Sequence, residues 1–521
     1  MTKQKANIVH KLRVAAQIVF VLLFFYLLFG SGRSSSEDIN STSVFFYIDP
    51  LLPILNFLST GSLLIIFMFS GITLLLSLLL GRFFCGWICP FGSINHLFSW
   101  LAKKKRNGII PLKYLSLKYF ILAALLVSAL MGTNLGGWLD PFSLLTRSSA
   151  ALASPAEYLL GHTNKLFVSE LASDFARTNP AIKSAEELES TNIERTTTQP
   201  LVIIGLFVFF LFMNFYQKRF YCNTICPLGA LLGLISRVSL YRVKSTPECI
   251  SCDKCSGNCT YGGNPDDEFY KSECTVCFNC ATDCNNDTVE YKFELPKKAD
   301  AEKVDFGRRK MIGAAAVGLV VAALPKSDMN ASTISRHNYM RPPGSINEDE
   351  FIDKCLRCGQ CVQSCPTNFI QPALAATGIG GIWTPVLNAK AGYCKYDCNN
   401  CTKICPSKAI EKLSIKQKQF FKLGTAIIDK NRCYTYADGM NCTVCYDACP
   451  TKEKAIQLRK AETWNFQGKL KTVDQIYILP DKCIGCGLCE YLCPRGDEPG
   501  IQIAAEDEIR ERLTGNVRNF S

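Results

Sequence analysis

Four long apolar runs occur in the first half of the chain, whereas the second half is polar and rich in cysteine. The runs cover Val14 to Gly30, Gly61 to Leu80, Leu115 to Met131 and Leu201 to Tyr216. Each has almost no charge and approaches the length that a helix needs to cross a bilayer core of roughly 30 Å. Buried core helices are the alternative, but this composition is more typical of membrane spans. The pattern therefore predicts four transmembrane helices.

Basic residues set the orientation of these spans, because cytoplasmic loops are enriched in Lys and Arg. The basic groups are Lys3, Lys5, Lys11 and Arg13 before the first run; Lys103, Lys104, Lys105 and Arg106 after the second; and Lys218, Arg219, Arg237, Arg242 and Lys244 after the fourth. This distribution predicts a multi-pass protein of the bacterial inner membrane. Its N-terminus and the segment after the fourth span lie in the cytoplasm.

A duplication organises the membrane half. The first copy contains "FFYIDPLLPIL" and then "RFFCGWICPFG", and the second contains "GGWLDPFSLLT" and then "RFYCNTICPLG". Both copies run in the same direction, which indicates parallel repeats related by an axis along the membrane normal. The second copy has an additional polar stretch, about Ser148 to Pro200, on the outside. Asp49 and Asp140 fall at the outer face, where a structural Asp-Pro turn and a position beside a quinol are both open interpretations.

Each copy ends in a Cys-x-x-x-Cys-Pro motif, and the four cysteines are Cys85, Cys89, Cys222 and Cys226. Residues at i and i+4 share a helix face, so each pair can point at one site, and the repeat axis can bring all four together. The following proline disfavours a helical backbone at the second cysteine, which predicts a break there. Four such thiols can hold a metal centre or act as a redox-active dithiol set, and inert buried cysteines are the structural alternative. His96 is a candidate proton acceptor nearby, or a surface histidine.

Six cysteine quartets follow the fourth apolar run. Their members are Cys249, Cys252, Cys255 and Cys259; Cys274, Cys277, Cys280 and Cys284; Cys355, Cys358, Cys361 and Cys365; Cys394, Cys398, Cys401 and Cys405; Cys433, Cys442, Cys445 and Cys449; and Cys483, Cys486, Cys489 and Cys493. Spacing such as "CIGCGLCEYLCP" is typical of bacterial ferredoxins, in which three thiolates bind one cubane and the fourth binds the neighbouring cluster. Zinc is the alternative for Cys-x-x-Cys pairs, but quartets that recur without histidine favour six [4Fe–4S] clusters.

The spacing does not fix how all the quartets pair. The first two lie fifteen residues apart and are expected to form one two-cluster module. Longer insertions separate the last four. Adjacent pairing and nested pairing, third with sixth and fourth with fifth, both satisfy the ligand count.

Composition excludes several other classes of protein. The 28 cysteines fall in tight motifs, unlike the disulfide frameworks of short secreted chains. No Cys-x-x-Cys-His sequence occurs, which excludes c-type haem attachment. The formal net charge is +12, but each cubane with four thiolates carries roughly −2 when oxidised, so clusters offset much of it. Lys and Arg flank the spans or are scattered, and no nucleic-acid binding is expected.

The linker "FGRRKMIGAAAVGLVVAALPKS" resembles an export signal. A pair of arginines precedes an apolar run from Met311 to Leu324, which is short for a span and of the right length for a signal peptide. Twin arginines direct export of folded proteins in bacteria, and an ordinary helix is the alternative. The predicted domains are a membrane domain at 1–245, a two-cluster module at 246–295, a linker with a signal or anchor helix at 296–345, and a four-cluster domain at 346–521. The fold class is an α-helical membrane bundle with four spans and a parallel repeat, plus α+β polyferredoxin modules of the bacterial type.

On the cysteine patterns, residues 1 to about 300 resemble NapH and those from about 305 resemble NapG, so the chain resembles a NapH–NapG fusion. NosR and CcoG-type proteins share the membrane half. The resemblance implies oxidation of menaquinol or ubiquinol from the membrane pool, with the four Cys-x-x-x-Cys-Pro cysteines as the membrane redox site. It implies that electrons pass through the six clusters to a reductase outside the cytoplasm, where the last four clusters would lie. An assembly or metal-reducing factor of the CcoG type and electron transfer from ferredoxin to quinone are the alternatives.

Overall fold

The computed structural model describes most of the chain, in two compact units. The described residues are 3–30, 43–61, 68–102, 112–152, 198–246, 249, 252, 254–263, 270–284, 288–294, 308–331, 339–374, 377, 379–464, 470–496, 498–505 and 508. Outside them lie the basic loop at 103–106, residues 153–197 of the polar insertion and residues 62–67 of the second apolar run. The first unit comprises Met1–Ser35, Asn40–Thr146 and Gly205–Leu324, and the second comprises Ser36–Ile39, Arg147–Ile204 and Pro325–Ser521.

The first unit is mainly helical. Its helices are α1 (Lys3–Gly30), α2 (Ser43–Tyr47), α3 (Leu51–Thr60), α4 (Ser70–Leu80), α5 (Phe83–Trp87), α6 (Pro90–Leu101), α7 (Leu112–Leu130), α8 (from 141, described to 152), α9 (Thr198–Phe212), α10 (Pro227–Ser236), α11 (Lys254–Asn258), α12 (Asn279–Asp283) and α13 (Arg308–Ala331). Two of these, α8 and α9, begin in one unit and end in the other, and α13 extends past Leu324 into the second. A π-helical turn, Tyr221–Ile225, precedes α10.

One described helix is long and apolar enough to cross a membrane. It covers Gln4–Leu28 within α1, and only 22% of its most apolar window is buried. The other apolar helices are shorter, among them Ser70–Leu80, Tyr114–Leu130 and Leu201–Phe215. Gly61, with φ +67°, ends α3 with a left-handed cap at the point where the second apolar run begins. The structure thus shows one candidate membrane helix, and the other three spans stay a prediction.

Helix α13, which contains the apolar run of the predicted signal, packs closely against α7. A Cβ atom on Gly318 would lie 2.6 Å from the carbonyl oxygen of Ala124. Ala314 and Ala322, four residues to either side, are buried, and Thr133 Oγ1 donates a hydrogen bond of 3.4 Å to the Ala322 carbonyl. Small residues at this spacing let two helix backbones approach one another. The apolar segment is therefore an integral helix of the first unit.

The contact at Gly318 predicts an unequal response to two identical substitutions. Gly318→Leu forces a side chain into the Ala124 backbone and should lower the free energy of unfolding by about 1–3 kcal/mol, as overpacking does. Gly313→Leu, on the same helix but with nothing within 4 Å of the new Cβ, is the matched control. Thermal unfolding of the purified full-length protein measures the difference. Equal melting temperatures for the two variants would show that α13 does not pack on α7.

A small sheet completes the first unit. Strands β1 (Tyr241–Ser245) and β2 (Val289–Phe293) pair antiparallel, with Tyr241 opposite Phe293. Short helices α11 and α12 lie between them and carry cysteines of the first two quartets. Val243, Ala281 and Val289 form a buried core with Ala6 of α1. The start of α1 is therefore part of the two-cluster module.

The second unit repeats this plan of short helices and two-stranded sheets. Its helices are α14 (Glu348–Lys354), α15 (Gln360–Gln363), α16 (Asn400–Ile404), α17 (Ile415–Phe420), α18 (Tyr434–Ala437), α19 (Val444–Ala448) and α20 (Leu488–Tyr491). Its strands are β3 (Ile370–Pro372), β4 (Pro385–Leu387), β5 (Thr425–Ile428), β6 (Ile456–Trp464), β7 (Leu470–Ile478) and β8 (Ile501–Ala504). Antiparallel pairs join β3 to β4, β5 to β8 and β6 to β7. Two apolar cores, one built around Phe351 and Phe369 and one around Ile476 and Ile501, each include cysteines.

Candidate iron–sulfur centres and membrane thiol site

The quartet loops wrap around cavities because alternate residues adopt left-handed backbone. In the second quartet Val276 and Phe278 have φ of +52° and +62°. Gly485 and Gly487 take the same role in the sixth, with φ of +69° and +79°. Alternation of this kind turns successive amide groups toward the enclosed space, where they can donate to an anionic group.

Among the residues that the structure describes, four cavities are each lined by four or more cysteines. The Cys274 cavity, about 370 Å³, is lined by Cys259, Cys274, Cys277 and Cys280. The Cys355 cavity, about 410 Å³, is lined by Cys355, Cys358, Cys361 and Cys405. The Cys394 cavity, about 360 Å³, is lined by Cys365, Cys394, Cys398 and Cys401. The Cys433 cavity, about 340 Å³, is lined by Cys433, Cys442, Cys445, Cys489 and Cys493.

These cavities decide the pairing of the quartets. The fourth cysteine of the third quartet, Cys365, lines the cavity of the fourth, and Cys405 lines that of the third. The fifth and sixth are joined in the same way, since Cys493 lines the Cys433 cavity and Cys449 lies near enough to Cys486 to affect its pKa. Pairing is therefore adjacent in the second unit, and the nested alternative is wrong.

The cysteine cavities fit cubane clusters. Backbone amides donate to ligand sulfurs, as from Gly263 to Cys259 Sγ at 3.2 Å and from Gly500 to Cys493 Sγ at 3.3 Å; such bonds tune a cluster. Within the described part of the chain, no three His, Cys, Asp or Glu side chains are close enough to hold a single metal ion. A cubane makes a different demand, because its four thiolates bind four separate irons around one cavity.

Burial keeps these thiols protonated in the absence of a metal. It raises the pKa of Cys274 to about 12, that of Cys394 to about 11 and that of Cys486 to about 12. Because the thiolate is the form that binds iron, cluster insertion releases protons from these sites.

Hydroxyl groups beside the fourth cysteines are a feature that the sequence analysis missed. Thr367, Ser407 and Thr451 each follow the fourth cysteine of a quartet by two residues, and each hydroxyl lies near that cysteine's sulfur, at 3.6, 3.7 and 3.2 Å. The signal was present as Cys-Pro-Thr or Cys-Pro-Ser in three quartets. A hydroxyl donor at this place stabilises thiolate charge.

Adjacent pairing predicts which double substitutions are redundant. Cys355→Ala and Cys405→Ala remove ligands of the same cavity, so the double variant should lose no more iron than either single variant. The double variant Cys355→Ala with Cys365→Ala removes one cysteine from each of two cavities, so the iron losses of the two single variants should add. Iron quantification with EPR spin counting on the purified full-length protein measures this. Additive loss in the first pair, or redundancy in the second, would contradict the pairing.

The two Cys-x-x-x-Cys-Pro motifs have the same local geometry. Cys89 and Cys226 are extended, with ψ of 113° and 110°, and each is the N-cap of the next helix. Their sulfurs accept hydrogen bonds from Gly92 and Gly229 at 3.4 and 3.3 Å. The helix break predicted from the following prolines is confirmed. Both motifs also close with a bond from the second cysteine's amide to a carbonyl five residues earlier, a π-type turn of the kind that is frequent at functional sites.

The structure brings the four thiols of the repeat together. Burial raises the pKa of Cys89, and the charges of Cys85 and Cys222 raise it further. The pKa of Cys226 is likewise raised by burial first and then by Cys222 and Cys85. Burial also raises the pKa of Cys222, to about 11. These mutual influences place the four sulfurs in one region of the fold, as the duplication predicts.

The two Asp-Pro motifs of the repeat also meet. Asp49 Oδ1 accepts from the Leu51 amide at 2.8 Å, and Asp140 Oδ2 accepts from the Ser143 amide at 2.7 Å, so each caps the helix that follows. Both side chains are fully buried and face one another within hydrogen-bonding reach, and burial followed by Asp140 raises the pKa of Asp49. Cys85 lies near enough to contribute to that shift. The sequence placed both aspartates at the outer face of the membrane, and that position stays a prediction.

Glu273, which directly precedes a cluster cysteine, fixes the two-cluster module to the helical bundle. Its carboxylate pairs with Arg82 at 2.7 Å and with Lys118, and it accepts from Tyr119 Oη at 2.8 Å. The carboxylate and both cations are at most 2% exposed. Arg82 also donates to the Ser272 carbonyl at 3.2 Å. Breaking a buried pair of this kind leaves an uncompensated charge.

Glu273→Gln should therefore lower the free energy of unfolding by about 3–5 kcal/mol. Glu290→Gln is the control, since Glu290 pairs with Lys292 on an exposed part of β2, where ion pairs contribute about 0–1 kcal/mol. Chemical denaturation of the purified full-length protein, followed by loss of visible absorbance, compares the two. Equal midpoints for both variants would contradict an anchoring role for Glu273.

Arg219, the counterpart of Arg82 in the second copy, has a different environment. Its side chain is fully buried, its guanidinium stacks 4.0 Å over the ring of Tyr261, and burial lowers its pKa to about 10. It lies near both Cys222 of the thiol set and Cys277 of the Cys274 cavity. Its positive charge, with burial, lowers the pKa of His96 to about 2. His96 is therefore neutral at physiological pH and a weak base, and its role as a proton acceptor stays a prediction.

Comparison with known families agrees with the cysteine geometry. A 4Fe-4S binding domain model matches residues 62–108 and again 198–245, the two segments that contain the Cys-x-x-x-Cys-Pro motifs. A 4Fe-4S dicluster domain model matches residues 440–496, and a further 4Fe-4S binding domain model matches residues 352–371. No solved structure matches the chain.

Curated relatives share a large part of the chain. The ferredoxin-type protein NapG of Escherichia coli is 35% identical over 211 residues, which are 38% of this chain and 85% of the relative. The methylamine utilization ferredoxin-type protein MauM of Methylorubrum extorquens is 32% identical over 34% of this chain and 77% of the relative. NapG of Haemophilus influenzae is 29% identical over 44% of this chain and 83% of the relative. The chain is an iron–sulfur electron-transfer protein that belongs to the ferredoxin-type family of NapG and MauM.

Proposed function

We propose that the protein is a membrane-bound quinol dehydrogenase-type conduit. Menaquinol or ubiquinol is oxidised at the membrane half, and electrons pass through six [4Fe–4S] clusters to a partner reductase outside the cytoplasm. Each cluster supplies a one-electron carrier, and the protein supplies binding, spacing and potential. This goes beyond the family assignment, which concerns the ferredoxin-type part alone.

The observation that carries the proposal is the contact between the membrane thiols and a cluster cavity. Arg219 lies near Cys222 of the thiol set and Cys277 of the Cys274 cavity. Glu273, next to Cys274, is held by Arg82 and Lys118 of the bundle. The thiol set therefore adjoins a cluster site inside one compact unit, as an electron path from the membrane requires.

Proton release from quinol needs an acceptor, and the paired carboxyls supply one. Asp49 and Asp140 are fully buried, and two adjacent buried carboxylates cannot both remain ionised. Such a pair holds one proton readily and exchanges a second. Its place beside Cys85 suits a group that takes up the proton as electrons leave toward the clusters.

Membrane insertion is supported by the apolar outer surface of the helices. Leu22 of α1, Leu75 of α4 and Val208 of α9 are all more than half exposed. Exposure of such an apolar surface to water is costly. Lipid contact removes that cost. Helix α13 packs on α7, which favours a retained anchor that leads to a four-cluster domain on the periplasmic side.

The test is reduction of the purified protein by menaquinol, followed by EPR and visible absorbance. Wild-type clusters should be reduced, and the double variant Cys85→Ala with Cys222→Ala should lose this reaction while dithionite still reduces its clusters. Cys89 and Cys226 are left intact so that the helix caps remain. Failure of the wild type with menaquinol, alongside reduction of Cu(II), would replace the proposal by a metal-reducing assembly factor.

Two further measurements complete this test. Cluster potentials far below that of menaquinol would instead favour transfer from ferredoxin to quinone. External protease applied to intact spheroplasts should digest the C-terminal domain if it is periplasmic. Protection from that protease would place the four clusters in the cytoplasm.

A further inference from the structure

We propose that Arg219 is the counter-charge for the iron–sulfur cluster of the Cys274 cavity and that it raises the reduction potential of this cluster selectively. The cluster then becomes the first acceptor for electrons that leave the membrane thiol site. The inference deepens the proposed function and rests on it for the direction of electron flow. Its test does not use quinol.

An asymmetry between the two copies of the repeat points to this role. Arg82 and Arg219 occupy the same position, three residues before the first cysteine of each motif. Arg82 is neutralised by Glu273 at 2.7 Å. Among the described residues, none of the three guanidinium nitrogens of Arg219 has a hydrogen-bond partner, although the side chain is fully buried.

The surroundings of Arg219 add positive charge and do not offset it. Arg13 of α1 is also fully buried, and its Nε and Nη1 have no hydrogen-bond partner in the described part of the chain. Its Nη2 donates a hydrogen bond of 3.3 Å to Asn279 Oδ1, which is a neutral acceptor on α12. The two buried guanidinium groups thus contact Asn279 and Tyr261, which line the Cys274 cavity, and they need an anion, since an uncompensated buried charge is very unfavourable.

The anion that fits is a cluster with four thiolates. It carries roughly −2 when oxidised and gains a further negative charge on reduction. Cys277 belongs to the Cys274 cavity and lies near Arg219. A fixed positive charge beside the cluster favours its more negative, reduced state and so raises the reduction potential of the cluster. Arginine suits the role because it stays protonated throughout, and reduction therefore adds one electron and no proton there.

Stacking holds the guanidinium in place. Tyr261, two residues after Cys259, lines the same cavity, and the Arg219 guanidinium lies 4.0 Å over its ring. Cation–π contact fixes the plane of the guanidinium without using its N–H groups. Those groups remain available for sulfur atoms of a bound cluster.

The experiment is an EPR redox titration of the purified full-length protein, with dithionite and mediators, on three variants. Arg219→Gln should lower the potential of the Cys274-cavity cluster by at least a tenfold change in its reduction equilibrium, about 59 mV, while the other clusters keep theirs. Arg219→Lys retains the charge and should restore most of the potential. Lys244→Gln removes an equal charge at a half-exposed position that pairs with Glu294, and should shift none of the clusters. The signal missing from Cys277→Ala identifies the cluster concerned.

Several outcomes would overturn the proposal. An unchanged potential in Arg219→Gln, or an equal shift of every cluster, would show that Arg219 does not act on this centre. If Arg219→Gln loses the cluster, Arg219→Lys decides: recovery of both iron and potential supports a charge effect. Loss of the cluster in both variants would show that Arg219 has only a packing role beside Tyr261. Because no quinol is used, the result stands apart from any failure of quinol oxidation.

Discussion

The sharing of cysteines between neighbouring quartets is the constraint on which the rest of the structure depends. Each described cysteine cavity of the second unit takes three cysteines from one quartet and at least one from its partner. Neither quartet of a pair can therefore complete its cavity alone. The two-stranded sheets follow from this demand, since β5 and β8 bracket the fifth and sixth quartets and bring their ends together. Short helices such as α15 and α16 then carry cysteines toward the shared space.

In the first unit, the comparable constraint is the pairing of buried charges. Burial of cysteines, carboxyls and arginines in one region is costly unless each charge is balanced. Glu273 pairs with both Arg82 and Lys118, and the two aspartates approach one another. Arg219 remains without a carboxylate partner among the described residues, although the repeat gives it the same sequence context as Arg82. Two copies of one motif have thus acquired different electrostatic roles, one as a structural anchor and one beside a redox centre.

Sequence patterns predicted the parts of the site that depend on local chemistry. The quartet spacing predicted the cysteines that line the described cavities, and the prolines after Cys89 and Cys226 predicted the helix breaks. The sequence could not predict the pairing of quartets in the second unit, because this pairing depends on the fold of the long insertions, such as the β6–β7 hairpin. The meeting of Asp49 with Asp140 could not be predicted either, because the two residues lie on separate copies of the repeat. The effect of Arg219 on His96 likewise depends on the fold, since the two residues are distant in sequence.

The packing of Ala6 into the core of the two-cluster module has a consequence for biogenesis. Helix α1 is synthesised first, whereas its partners Val243, Ala281 and Val289 follow more than two hundred residues later. The N-terminal end of α1 therefore stays unburied until the module has been translated. Arg13 also lacks its hydrogen-bond acceptor until then, because Asn279 lies on α12. Completion of the first unit is thus tied to folding of the two-cluster module, so translation and cofactor delivery set the pace at which the N-terminal helix reaches its final place.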